Sequence, residues 1–178
     1  MIAVRRLAAA AVLAALTGIS VPTTATAAPA PAPATTDAPF LRAIHQGNMA
    51  EIAAGLEAGK SATKACVKTV GATLVTDHRK LDVAVVALAK KLHVTLPASV
   101  SRAQKKAAAD IQAKAGKRGY NAAWLANEAT GHVQTLALID RELKSGANSE
   151  VKAAAKTARP IVAHHLEIIR ACQGTKRS

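Results

Sequence analysis

The chain has 178 residues, of which 44 are alanine and only three are aromatic. A chain of this length usually forms one domain. Because strands favour β-branched and aromatic side chains, the composition argues against a β-sandwich or a barrel and favours helices packed through small residues. The formal net charge of +13 predicts affinity for polyanions.

The first 27 residues have the features of a secretory signal peptide. Arg5 and Arg6 precede an apolar run over residues 7–19, and Ala25-Thr26-Ala27 forms an A-x-A cleavage pattern. The run is too short to span a bilayer comfortably, although an uncleaved membrane anchor is the alternative. We expect cleavage near Ala27 and a secreted, periplasmic or cell-envelope protein. The mature chain would keep 22 basic and 11 acidic residues, a net charge of +11, and no transmembrane segment.

The rest of the chain divides into a linker, a helical domain and a short tail. Residues 28–39 are rich in proline and alanine, which favours extended polyproline geometry and predicts a solvated linker. Helical periodicity predicts one domain over residues 40–174, followed by a basic tail over residues 175–178. Four long helices are expected at residues 39–58, 61–92, 120–144 and 149–172, with a shorter one at residues 99–115.

Local signals predict where some of these helices begin and end. Asp37 and Ser149 are the expected N-caps of the first and the last long helix, and Gly59 is the expected end of the first. Each long helix carries an inward-facing stripe at spacings of three and four residues. On the first helix, the stripe consists of Leu41, Ile44, Asn48, Ile52 and Leu56.

The connections between the helices predict the topology. Four long helices with one buried stripe each form a four-helix bundle. About 28 residues separate the second long helix from the third, enough for a crossover that climbs the whole bundle and carries the short extra helix. This pattern predicts an all-α, ferritin-like four-helix bundle.

The two cysteines test this topology. Cys66 lies near the start of the second long helix, and Cys172 lies at the end of the fourth. A crossover brings both to the same end of the bundle, whereas a simple up-and-down order separates them by about 30 Å. An exported protein favours a disulfide between them. Two unpaired buried thiols are the alternative.

Polar side chains occupy positions in the predicted core where an apolar residue is expected. Three histidines lie on the inward stripes of three different helices, and Asn48 does the same on the first helix. Buried polar groups cost free energy unless they are paired, and imidazole suits zinc, copper, iron and nickel. The candidate ligands for a transition-metal ion are His78, His132, His165, Glu51, Asp77 and Glu128.

A hydrogen-bonded polar layer that fixes the helix register is the alternative to a metal site. A di-iron bundle uses Glu-x-x-His motifs, and this chain has none because Glu128 and His132 are four residues apart. Counting helix turns also brings the three histidines to the same height only within one or two turns. The remaining histidines, His45, His93 and His164, are expected at the periphery.

Several of these core residues occur, together with others, in an order along the chain that resembles the pattern of a known family, the bacterial exported domain-of-unknown-function family 4142. The resemblance covers residues 40–172 and implies a ferritin-like four-helix fold and export, but no established activity. One departure is Gly119-Tyr120-Asn121, where the family commonly has a Phe-Asp pair before its tyrosine. The matching residues are Phe40 with Glu51, residues 67–78 ending in Asp77-His78, Leu96-Pro97, residues 120–132 ending in His132, and Pro160 with His165-Leu166.

The sequence contains no enzyme motif that we can identify, such as a phosphate-binding loop, a nucleophile elbow or a zinc-protease helix. We expect an exported binding protein, with a transition-metal ion in an inner histidine and carboxylate layer. The alternative is an envelope-interaction module that binds anionic cell-envelope polymers through its basic surface. Nucleic acid is not an expected partner, since aromatic residues for base stacking are too few. An oxidoreductase is a third class, which the carboxylate pattern disfavours.

Overall fold

The computed structural model describes residues 37–117 and 119–174. This part of the chain contains five helices and no strand, which confirms the all-α class and the short helix in the long connection. The signal segment, most of the linker and the basic tail lie outside the described residues. The helices are α1 (Asp37–Ser61), α2 (Ala65–Lys91), α3 (Arg102–Gln112), α4 (Tyr120–Ser145) and α5 (Ser149–Gly174).

The helix directions follow from the short turns and from the cysteine pair. α1 and α2 form one antiparallel hairpin, and α4 and α5 form another. Cys66 and Cys172 form a disulfide with their Cα atoms 5.8 Å apart, so the start of α2 and the end of α5 lie at the same end of the bundle. The four long helices, α1, α2, α4 and α5, therefore run up, down, down and up. A long crossover between α2 and α4 requires these directions.

The first helix differs from its predicted bounds at both ends. It begins at Asp37 and continues to Ser61, so residues 37–39 are helical rather than part of the linker, and Gly59 does not end the helix. The expected second helix started at residue 61, but residues 62–64 form the turn and α2 begins at Ala65. Uninterrupted packing against α2 outweighs the low helix propensity of one glycine.

Of the two expected caps, Asp37 holds a neighbouring turn and Ser149 is replaced by Asn148. The Asp37 carboxylate accepts hydrogen bonds from the backbone N–H groups of Ala147 and Asn148, both at 3.1 Å, and so holds the α4–α5 turn against α1. Asn148, rather than Ser149, caps α5, because its Oδ1 accepts from the N–H groups of Glu150 and Val151. Such bonds satisfy N–H groups that have no partner within a helix.

The close contact between α1 and α2 depends on two glycines. A Cβ on Gly55 would collide with the backbone oxygen of Gly71, and one on Gly71 would lie 2.9 Å from the oxygen of Gly55. This contact turns Gly55 towards α2 and turns Leu56 outward, where 47% of its surface is exposed. The prediction that Leu56 faces inward is therefore wrong.

Two apolar clusters fill the bundle and lie on either side of a polar layer. One contains Leu41, Val85, Ile139 and Val162, and the other contains Leu74, Trp124, Leu125 and Ile169. On α2, α4 and α5, one histidine lies between the residues that each helix contributes to the two clusters. The fold therefore encloses these histidines in the interior of the bundle.

Candidate metal centre

Three buried histidines meet in this polar layer. His78 comes from α2, His132 from α4 and His165 from α5, and each is at most 3% exposed. The ring centroids are 5.8 Å apart for His78 and His132, 5.1 Å for His78 and His165, and 5.5 Å for His132 and His165. Counting helix turns places these histidines at the same height only within one or two turns, because it does not fix the axial offset between helices; the structure brings the three rings together.

A chain of hydrogen bonds fixes the orientation of His78. Its Nδ1 lies 2.9 Å from Oδ1 of Asn48, whose Nδ2 donates to Oδ1 of Asp82 at 3.2 Å. The same Asp82 oxygen lies 2.8 Å from Nδ1 of His45. Because an ionised carboxylate only accepts hydrogen bonds, Asp82 turns the amide nitrogen of Asn48 towards itself. The amide oxygen therefore faces His78, and Nδ1 of that ring carries the proton.

The other two rings are held in the same way. Nδ1 of His132 donates to the backbone oxygen of Glu128 at 2.8 Å. Nε2 of His165 donates to Oδ2 of Asp77 at 3.1 Å, and Nζ of Lys80 lies 3.7 Å from the other oxygen of this carboxylate. A carbonyl and an ionised carboxylate can only accept, so both imidazole protons point away from the centre of the cluster.

The remaining nitrogen of each ring carries a lone pair without a partner. Nε2 of His78, Nε2 of His132 and Nδ1 of His165 are buried and have no hydrogen-bond partner among the described residues. The three rings offer nitrogens that lie within 4.8 Å of one another. Three buried acceptors without a donor are unfavourable, and a cation that accepts their lone pairs would remove this cost.

The electrostatics keep the three rings neutral. Burial, followed by the proximity of His165 and His132, lowers the pKa of His78 from 6.5 to about 3. Burial also lowers the pKa of His132, although the backbone oxygen of Glu128 opposes it. The pKa of His165 is likewise lowered by burial, against the effect of Asp77. Neutral imidazole is the form that binds metal ions.

The candidate carboxylates do not join the three histidines in one group. Asp77 orients His165 from outside the cluster. Glu51 and Glu128 form a second group with His132, with ligand atoms within 4.8 Å of one another, and Oε1 of Glu51 lies 3.9 Å from Nδ1 of His132. Burial, then the charge of Glu128 and a hydrogen bond to it, raise the pKa of Glu51 well above 4.5. This shift favours the protonated form of Glu51.

Sequence analysis missed two residues that support the cluster, Asp82 and His45. Asp82 comes four residues after His78, and His45 comes three residues before Asn48. Both spacings bring the side chains to the same helix face, and this spacing is the signal that relates them to the cluster. Both residues lie off the inward stripes, so the stripes alone do not predict their role.

A cavity of about 340 Å³ reaches the cluster from one side. His78, Asn48 and Asp77 are among the residues that line it, together with apolar residues of all four long helices. One ring of the cluster therefore borders this cavity.

The fold and the cluster define an all-helical bundle protein with three histidines converging inside its core. The chain belongs to the family described as "Domain of unknown function (DUF4142)", whose model matches residues 22–172. The comparison with curated proteins and the comparison with solved structures each found no match. Among the described residues, no helix is long and apolar enough to cross a membrane.

Proposed function

We propose that this protein binds a transition-metal ion through His78, His132 and His165. The observation that carries the proposal is the convergence of three buried ring nitrogens whose lone pairs have no hydrogen-bond partner among the described residues. Zn²⁺ is often held by three imidazoles plus one further ligand, and imidazole also suits Cu²⁺ and Ni²⁺.

The directions of the imidazole protons weigh against a purely structural polar layer. In such a layer, one ring would donate its proton to the next. Here each ring donates outward instead, to Asn48, to the backbone oxygen of Glu128 and to Asp77. Outer partners of this kind orient the ligands in metal centres and raise their basicity. A structural layer would gain nothing from three buried lone pairs that have no donor.

Export to an oxidising compartment is part of the same proposal. The signal-peptide features of residues 1–27 support it, as does the pairing of Cys66 with Cys172, because structural disulfides persist mainly outside the cytosol. Amino-terminal sequencing of the mature protein tests this point, and we expect the chain to begin close to Ala28. A mature protein that still begins at Met1 would contradict the proposal.

Metal titration of the metal-free protein tests the function. We expect one Zn²⁺ or Cu²⁺ ion per chain, measured by calorimetry and by elemental analysis after desalting. His132→Ala should abolish stoichiometric binding. His164→Ala is the matched control, since this adjacent ring is 63% exposed, and it should bind as the wild type does. Equal binding by both variants, or no binding by the wild type, would contradict the proposal.

The distribution of charge on α3 favours a second candidate function, binding of anionic cell-envelope polymers. Five basic residues on this helix and in the following turn are exposed, against the single acidic residue Asp110. They are Arg102, Lys105, Lys106, Lys114 and Lys117. Binding to anionic vesicles should weaken steeply with salt, because the Debye length falls to about 8 Å at physiological ionic strength. Binding that does not change with salt would rule this function out.

A further inference from the structure

A second cavity lies beneath the crossover helix, and the metal centre makes no use of it. It has a volume of about 750 Å³ and is bounded by α1, α3 and α4. Eight of the 24 residues that line it are alanine, and Trp124 also lines it. A cavity of this size falls in the range that holds small organic ligands.

The charges around this cavity are the reverse of those of the chain. The chain has 24 lysine and arginine residues against 11 aspartate and glutamate residues. The described residues that line the cavity nevertheless include Glu51, Glu57 and Glu128 and no lysine, arginine or histidine. A strongly basic protein therefore presents a negatively charged wall here, which favours a cationic ligand and disfavours an anionic one.

Two of these carboxyl groups, those of Glu51 and Glu128, have buried oxygens. The side chain of Glu128 is 1% exposed, and the Oε2 atoms of Glu128 and Glu51 are buried without a hydrogen-bond partner among the described residues. Buried carboxyl oxygens without a partner are costly, so a positively charged ligand that donates hydrogen bonds to them would be favoured at this point.

We propose that this cavity binds an organic cation, namely a protonated primary amine on an apolar body. The ammonium group has three donors, which suit the oxygens of Glu51 and Glu128. The apolar body would lie against the alanines of α1 and α3 and against Trp124. The extent of this apolar wall favours an organic cation over a hydrated divalent ion, which keeps several waters and needs more oxygen ligands. The inference does not rest on the metal centre.

Trp124 provides the readout, because it is the only tryptophan of the chain. The metal-free protein is titrated with hexylammonium, 1-hexanol and hexanoate, three probes of similar length that differ in charge. We expect saturable binding of hexylammonium, followed by the Trp124 fluorescence and by calorimetry. Hexanol should bind at least about tenfold more weakly, the usual order of a charge-assisted hydrogen bond, and hexanoate should not bind.

Two variants locate the site. Glu128→Gln keeps the shape of the side chain and removes its charge, and should weaken hexylammonium binding by about tenfold or more. Glu167→Gln, on the exposed face of α5, is the matched control and should leave binding unchanged. Ala107→Leu should also reduce binding, because it narrows the cavity from α3, a helix without buried residues, and it leaves the bundle core intact.

Several results would overturn the proposal. Equal affinity for hexanol and hexylammonium would show an apolar pocket without charge selection. Unchanged binding in both Glu128→Gln and Ala107→Leu would place the amine elsewhere. Saturable binding of Ca²⁺ or Mg²⁺ without binding of hexylammonium would make the site one for an inorganic ion.

Discussion

Nδ1 of His78 lies 2.9 Å from Oδ1 of Asn48, deep between α1 and α2. Asp82 holds the amide of Asn48 by its nitrogen, so the amide can only accept the proton of His78. The consequence is that the lone pair of His78 is on Nε2, which is buried and has no hydrogen-bond partner among the described residues. A polar residue that interrupts the apolar stripe of α1 thus determines which nitrogen of a candidate ligand is available.

Replacing Asn48 should therefore weaken the metal centre although Asn48 is not a ligand. In Asn48→Ala, His78 loses its orienting partner, and metal affinity should fall by about 10- to 100-fold, as for other outer-shell changes. Competition titration with a chromophoric chelator measures this. Circular dichroism checks that the helices remain. Unchanged affinity in a folded variant would show that Asn48 does not orient the ligand.

The lowered pKa of His78 predicts a loss of stability in acid. The unfolded chain binds a proton at this residue below its ordinary pKa of 6.5, whereas the folded protein resists protonation down to about pH 3. The stabilising contribution is therefore complete above pH 6.5 and falls as the pH falls towards 3. Urea unfolding of the metal-free protein at several pH values measures the change.

The variant His78→Leu separates this effect from general acid denaturation. It removes the titrating group and should lose less stability than the wild type between pH 7 and pH 4. At pH 7 it should be about as stable as the wild type or more so, since an apolar side chain replaces a buried acceptor. An identical loss of stability in acid for both proteins would contradict the prediction.

A second buried acidic group, Glu142 beside Asp37, predicts the opposite dependence of stability on pH. Burial, then the hydrogen bond to Asp37 and its charge, raise the pKa of Glu142 from 4.5 to about 7. The folded protein thus binds the proton more tightly than the unfolded chain, and this contribution to stability is lost as the pH rises from about 4.5 through 7.

Glu142→Gln should remove this dependence, because glutamine resembles the protonated acid. Relative to the wild type, the variant should become progressively more stable between pH 5 and pH 8 in urea unfolding. The exposed Glu167→Gln serves as the control and should follow the wild type. A difference between Glu142→Gln and the wild type that does not change with pH would refute the raised pKa of Glu142.

Two glycines of α1 form a matched pair for testing the α1–α2 contact. Gly55→Ala should destabilise the protein by about 1–3 kcal/mol, as overpacking does, because its Cβ would meet the backbone of Gly71 and lie 2.7 Å from Cγ2 of Val75. Gly59→Ala has no atom within 4 Å of its Cβ and should be neutral or stabilising by up to about 1 kcal/mol. Equal effects in thermal unfolding would contradict this account of the contact.

Periodicity and connection lengths were enough to predict the helices, the crossover and the cysteine pair. They were also enough to bring His78, His132 and His165 to the core, since spacing of three and four residues defines a helix face. They could not predict how closely the three rings approach one another, because axial offset depends on turns such as the one that Asp37 holds. Nor could they predict which nitrogens face inward, because this depends on partners such as Asp82 from a different helix.

X-ray absorption spectroscopy of the zinc-loaded protein tests the central claim most directly, because it counts the imidazole ligands of the bound ion. The account predicts three imidazole nitrogens at about 2.0–2.1 Å, with two remaining in His132→Ala if any ion is retained and three in His164→Ala. A first shell made mainly of oxygen, or a shell with fewer than three imidazoles in the wild type, would contradict the assignment of His78, His132 and His165 as the ligands.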